Sequence, residues 1–157
     1  MKTIGIIGWL GPETTSEFYL DLVFSGYKKN KESRPGIVIA SVPLPYQIEQ
    51  NLIAWDGKEA DKYIPYLTQE AKRLQDAGAD FIVMPCNSLH VFIQNIRDSV
   101  DIPVLSIVEE TVKYLEKHNF TKVGIVSTSA TIQNKLYENA FHKAGIDYET
   151  PDDFQQA

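Results

Sequence analysis

The chain has 157 residues, 43% hydrophobic and 23% charged, so it can bury a core and lacks the composition of a disordered segment. Its formal charge is −6 and its cations are scattered, which argues against a nucleic-acid partner or an anionic membrane surface. One cysteine excludes an internal disulfide and a cysteine metal cluster, and neither a membrane-length apolar run nor a signal-peptide layout is present, so cytoplasmic residence is expected.

In chain order, Ile4-Gly5-Ile6-Ile7 reads as a short buried strand, and Gly8-Trp9-Leu10-Gly11-Pro12 as the turn that opens a helix. Pro12 suits a first helical turn, Glu13 and Glu17 lie near its positive end, and Phe18, Tyr19, Leu22 and Val23 form its apolar face. Polar residues from Lys28 to Pro35 carry the return loop. Ile37 to Ala40 predicts the second strand, stopped by the two prolines of Ser41-Val42-Pro43-Leu44-Pro45. A short helix is expected within Tyr46 to Trp55. A longer one is expected between Lys58 and Ala77, with Tyr63, Ile64, Leu67, Ala71 and Leu74 facing inward. Pro65 predicts a kink or a late start in it, and Gly78 a stop.

Phe81 to Met84 predicts a third buried strand, from which Pro85-Cys86-Asn87-Ser88 leads into a helix through His90-Val91-Phe92-Ile93-Gln94. Asp101 to Leu105 predicts a strand and Ser106 to Leu115 a helix, closed by His118 to Thr121. Lys122 to Val126 is again a strand. The hydroxyl-rich turn Ser127-Thr128-Ser129-Ala130-Thr131 then precedes a helix from Ile132 to Lys143, and Gly145 to Glu149 is a candidate edge strand. This alternation is the signature of a parallel sheet with helices on both faces, an α/β fold. Residues 1–105 and 106–157 are the expected domains, two similar α/β lobes. The lobe formed by 106–157 reads as incomplete, because no closing hydrophobic element follows Thr150.

Gly5, Gly8 and Gly11 have the spacing of neither a dinucleotide fingerprint nor a nucleotide P-loop. Their loop reads equally as a ligand contact or as a tight turn. Cys86 sits where a parallel strand hands over to a helix, the carboxyl edge at which open α/β sheets bind ligands. Helix-start N–H groups there would favour a thiolate. A free cysteine is more often a small buried hydrophobe, yet a core cysteine would more naturally lie within Phe81 to Met84. Asn87 either holds a carboxylate or caps the helix. His90, one turn on, either tunes the thiol or anchors the helix, while His118 and His142 read as helix-end or surface residues. Hydroxyls at Thr14, Thr128, Ser129 and Thr131 stand at strand-to-helix turns, suited to holding a small carboxylate without a metal; each is otherwise an ordinary cap.

Gly5-Ile6-Ile7-Gly8-Trp9-Leu10-Gly11-Pro12-Glu13-Thr14-Thr15 resembles the opening G-x-x-G-G-M-G-P-x-A-T of the aspartate/glutamate racemase superfamily, with Trp9 and Leu10 at the usual Gly-Met. Cys86-Asn87-Ser88-Leu89-His90 matches its C-N-T-x-H. Gly124 to Thr131, with Tyr137 in the following helix, is similar to its second-lobe turn, and Ile107 to Thr111 to its lobe crossover. The resemblance implies two α/β lobes with the substrate between them, a homodimer, and racemisation at the α carbon by a thiol and a thiolate without pyridoxal phosphate or any other cofactor or metal. Cys86 would be the first-lobe catalyst, with Gly11, Thr14, Asn87, Ser88, Thr128, Ser129 and Thr131 as substrate contacts. Two departures stand out. The second-lobe cysteine is absent from these residues and is expected beyond Ala157. The loop Ser41 to Gln47 lacks the arginine that aspartate racemases often carry there, which leaves glutamate or a neutral amino acid open beside aspartate. The alternatives are a thiol-dependent isomerase or decarboxylase of a small dicarboxylate, and a non-catalytic carboxylate-binding protein.

Overall fold

The computed structural model describes residues 2–8, 11–46, 48 and 62–151, apart from the side chains of Ser129 and Ala130. Trp9, Leu10 and most of the segment expected to hold a short helix before Trp55 lie outside the described residues. The chain divides into two compact units, one of Met1–Cys86 with Phe92–Leu105 and one of Asn87–Val91 with Ser106–Ala157.

The first unit is built on β1 (Thr3–Gly8), paired in parallel with β2 (Gly36–Ser41) on one side and β3 (Phe81–Val83) on the other. With partners on both edges and both faces covered, β1 reads as a continuous apolar run, and Ile6 and Ile7 are buried. The strand expected at Asp101 to Leu105 shrinks to one parallel bridge between Val104 and Ile82. Ile82 donates to the Pro103 carbonyl and accepts from Leu105 N–H, but Pro103 has no N–H with which to continue the ladder.

Between β1 and β2 runs α1 (Pro12–Lys29), started by Pro12. Phe18, Leu22 and Val23 are half-buried, whereas Tyr19 is exposed, so the apolar face is narrower than the sequence implied. Between β2 and β3 runs α2 (Ile64–Asp76), whose late start follows from Pro65 in its first turn. Tyr63, Leu67, Ala71 and Leu74 are buried as expected, and Ile64 is half-buried. Glu70 is buried too, a feature the apolar pattern did not signal. Arg73 satisfies it, with Nη1 at 3.0 and 3.1 Å from its two carboxylate oxygens. Gly78, at φ 84°, ends α2 as expected: its N–H bonds the Gln75 carbonyl and the next N–H, of Ala79, bonds that of Leu74.

After β3 come a 3₁₀ turn, Ser88–Phe92, and the short α3 (Ile93–Arg97). The second unit contains α4 (Ile107–Lys117), capped by the Ser106 side chain, then β4 (Lys122–Gly124), α5 (Ser129–Gln133), α6 (Leu136–Ala144) and β5 (Asp147–Glu149). β4 and β5 pair in parallel, Val123 opposite Tyr148. Leu115, Ile125, Phe141 and Ile146 form the core of this unit, with Val112, Val123, Tyr137 and Ala144 packed against it. The single helix expected from Ile132 to Lys143 is broken in two. Lys135 adopts a left-handed conformation, φ 50° and ψ 39°, and the helix restarts at Leu136. Among the described residues no helix is long and apolar enough to cross a membrane.

Candidate active site

β2 and β3 end in the same local device. The N–H of Leu44 reaches the Val42 carbonyl and that of Cys86 the Met84 carbonyl, both at 2.9 Å, each across a central proline. Proline fixes φ near the value an inverse γ-turn needs and offers no donor to continue the strand. Val42 and Met84 remain buried as anchors, and the chain then leaves the core. Cys86 therefore emerges half-buried at the carboxyl edge of β3, two residues past a side chain that is packed away.

The helix expected after Cys86 is a 3₁₀ turn, started by the bond from His90 N–H to the Asn87 carbonyl. It is five residues long and runs directly into α3. His90 is buried, and its Nε2 accepts from the Ile107 N–H at 3.0 Å, the opening amide of α4. An accepting Nε2 puts the ring proton on Nδ1. This bond gives His90 the anchoring role that the sequence allowed. His118 lies at the end of α4, its Nδ1 2.7 Å from the Tyr114 carbonyl, and His142 is exposed in the last turn of α6.

Asn87 and Ser88 belong to the second unit, which holds both by side-chain bonds. Tyr137 Oη donates to Asn87 Oδ1 at 2.6 Å, and Ser88 Oγ lies 3.1 Å from Thr128 Oγ1. Thr128 Oγ1 is also 3.3 Å from Thr131 Oγ1, and the Thr128 carbonyl accepts the N–H groups of Thr131 and Ile132. Three expected site residues, Ser88, Thr128 and Thr131, are thus brought into one chain of hydroxyls, and the neighbouring Asn87 is held separately by Tyr137. Thr128 and Asn87 are exposed, while Thr131 is buried and serves to hold Thr128. Ser129 opens α5.

Tyr137 was legible only as part of a family pattern, and the structure gives it a definite place. Burial pushes its phenol up from the ordinary tyrosine value, with the Thr111 hydroxyl acting in the opposite direction. The signal that points to it is general: a tyrosine on an apolar helix face carries a hydroxyl that needs a partner.

Gly11 and Thr14 lie in the first unit at the start of α1. Gly11 has φ 46°, and its carbonyl accepts from Thr15 N–H and Thr15 Oγ1, while Thr14 is exposed. A groove in this unit runs between α1 and β2, past Pro12, Thr15, Tyr19 and Ile39, and does not include Cys86.

A parallel α/β chain that brings its one thiol out at the carboxyl edge of a strand defines a class of protein: an α/β protein with an accessible thiol at a strand end. The chain belongs to the Asp/Glu/hydantoin racemase family, whose profile matches residues 7–156. It is 33% identical over 159 residues to the broad specificity amino-acid racemase RacX of Bacillus subtilis, covering 98% of this chain and 66% of that protein. It is 29% identical over 108 residues to the glutamate racemase of Aquifex pyrophilus, covering 68% of this chain and 42% of that protein. Its fold superposes on the crystal structure of an aspartate racemase homologue from Pyrococcus horikoshii with a TM-score of 0.84 at 25% identity, over 99% of this chain and 67% of that one. The chain thus spans less than two thirds of the length of these two curated relatives.

Proposed function

We propose that the protein is a cofactor-independent amino-acid racemase in which Cys86 moves a proton at the α carbon of aspartate, glutamate or a related amino acid. One observation carries the reading. The chain's single thiol leaves the core half-buried at a strand edge, followed at once by two polar side chains held in place by Tyr137 and Thr128. Family membership supports the reaction class.

Inversion requires a base on one face of the α carbon and an acid on the other. As thiolate, Cys86 takes the α-proton, and the C–H electron pair stays with the substrate as a carbanion. An acid on the opposite face then supplies a proton, and in the reverse direction the Cys86 thiol is the donor. That second acid is assigned to none of the 157 residues. The carbanion's charge spreads into the carboxylate, so fixed donors there lower the barrier most. Asn87, Ser88 and Thr128 are the groups proposed to supply them, with Thr131 holding Thr128.

Side-chain selection is proposed to be broad. The loop from Ser41 to Gln47 contains no cation to read a second carboxylate, and one relative is named a broad specificity racemase. A homodimer is proposed as well. The family resemblance carries it, and Tyr19, Leu20, Phe24, Tyr27 and Ile39 give the first unit an exposed apolar surface that a second copy would cover.

The test incubates the complete natural protein with a panel of L-amino acids in deuterated water without added cofactor. α-Proton exchange and optical inversion are followed, with Cys86→Ser as control. Exchange with several amino acids, aspartate or glutamate among them, lost in the serine variant, is the expected result. Turnover unaffected by Cys86→Ser, or loss of carbon dioxide from a malonate with no exchange on any amino acid, refutes the proposal. Sedimentation of the same sample reads the oligomeric state.

A further inference from the structure

We propose that Tyr137 is a positioning residue for this site, one that turns the Asn87 amide so that its NH₂ edge, and not its oxygen, is offered to the ligand. The inference rests on the racemase reading for its consequence and on geometry for its substance. An amide side chain has an accepting edge and a donating edge related by a half-turn about its terminal bond, and an isolated exposed asparagine samples both. Asn87 is exposed, but its oxygen is taken by the Tyr137 hydroxyl at 2.6 Å. With the oxygen engaged, both N–H donors are left on the other edge.

The hydroxyl can do this only if its own position is set, and two features set it. The Tyr137 ring packs on the second unit's core, its centroid 5.7 Å from that of Phe141, which is buried. The helix that carries it starts afresh at Leu136, because Lys135 is left-handed. Lysine is not a residue that adopts this conformation readily. A continuous helix from Ser129 would present Tyr137 at a different angle, so the strained residue lies immediately before the turn that fixes the hydroxyl. Asn87 directly follows Cys86, so Tyr137 acts on the candidate site through one side chain.

The test compares Tyr137→Phe and Asn87→Asp in the complete protein. Tyr137→Phe keeps the ring and removes the donor. It is expected to raise KM for the amino acid about tenfold while kcat changes far less and the thermal midpoint is nearly kept. Asn87→Asp keeps an oxygen for Tyr137 and replaces the donating edge with a second acceptor, so KM is expected to rise still further. An Asn87→Asp variant with lower KM would mean that Asn87 faces the substrate ammonium through its oxygen, and wild-type KM in Tyr137→Phe would mean that the hydroxyl positions nothing; either overturns the proposal. A second readout needs no turnover. In nuclear magnetic resonance spectra of selectively labelled protein, Tyr137→Phe should move the Asn87 side-chain carbonyl carbon upfield and leave its nitrogen nearly unmoved. The opposite pattern overturns the proposal even if the wild-type protein racemises nothing, an outcome that by itself sinks only the racemase reading.

Discussion

Replacing Gly5 with alanine tests whether the glycines near the start of the chain serve packing or ligand contact. A Cβ at Gly5 would lie 3.0 Å from Ala79 Cβ, 3.3 Å from Leu74 Cβ and 3.4 Å from Ile82 Cγ1. Carbon atoms pack best at roughly 3.5–4.0 Å, so the first two contacts are compressed. Both involve Cβ atoms, which no rotamer change can move; relief requires shifting α2 or the turn after it away from β1. Overpacking of this kind costs about 1–3 kcal/mol. The smaller conformational freedom of unfolded alanine returns about 0.4–1 kcal/mol of that. Taking the middle of each range, the net loss is about 1.3 kcal/mol, or roughly 5–10 °C in the melting midpoint of a domain of about 100 residues. Thermal unfolding followed by circular dichroism measures it. Ala79→Gly should rescue part of the loss, because it removes the opposing Cβ, giving a coupling of at least about 0.5 kcal/mol in the double-mutant cycle. A Gly5→Ala variant as stable as the parent, or a strictly additive cycle, would refute the argument that close packing decides this position.

Two further outcomes follow from individual contacts. His90→Leu leaves the part-buried Ile107 N–H without its acceptor and should cost about 1 kcal/mol, whereas His90→Gln, whose amide oxygen can take the place of Nε2, should recover at least half of it in the same denaturation assay. Lys122 and Glu149 form an exposed cross-strand pair in the second unit, and each shifts the other: bonding to Glu149 raises the lysine, and bonding to Lys122 lowers the glutamate. A carboxyl lowered in the folded state stabilises above its unfolded value of 4.5 and loses that contribution as pH falls through the folded one, so acid titration of the parent should show a stability loss that Glu149→Gln lacks. The raised lysine contributes at neutral pH and loses its part only in strong alkali, as pH rises through its folded value. Because the pair is exposed, salt should shrink the difference between the two proteins at neutral pH.

How far the fold and site were legible depends on the range of the interactions involved. β1, β2 and β3 were readable because each is a short apolar run, buried in β1 and β3 and partly exposed in β2, and the prolines at 43 and 85 announce where the carboxyl ends of β2 and β3 must leave the sheet. The late start of α2 and its stop at Gly78 follow from local chemistry at Pro65 and Gly78. The break at Lys135 was not readable, since no glycine or proline marks it and Ile132 to Lys143 carries an unbroken helical pattern. The buried Glu70 was hidden because a charged residue enters a core only when a partner such as Arg73 is geometrically available. The expected strand at Val104 contracted because a parallel ladder needs successive donors on a neighbour, and Pro103 supplies none.

From its residue order alone, this protein determined the alternation of strands and helices and the emergence of Cys86 at a strand edge, because hydrophobic period, proline and glycine act over a few residues. Only the tertiary structure decided that Asn87 meets Tyr137, Ser88 meets Thr128 and His90 meets Ile107. Those partners lie 50, 40 and 17 residues away, and which donor finds which acceptor at such separations is settled by the packing of whole elements.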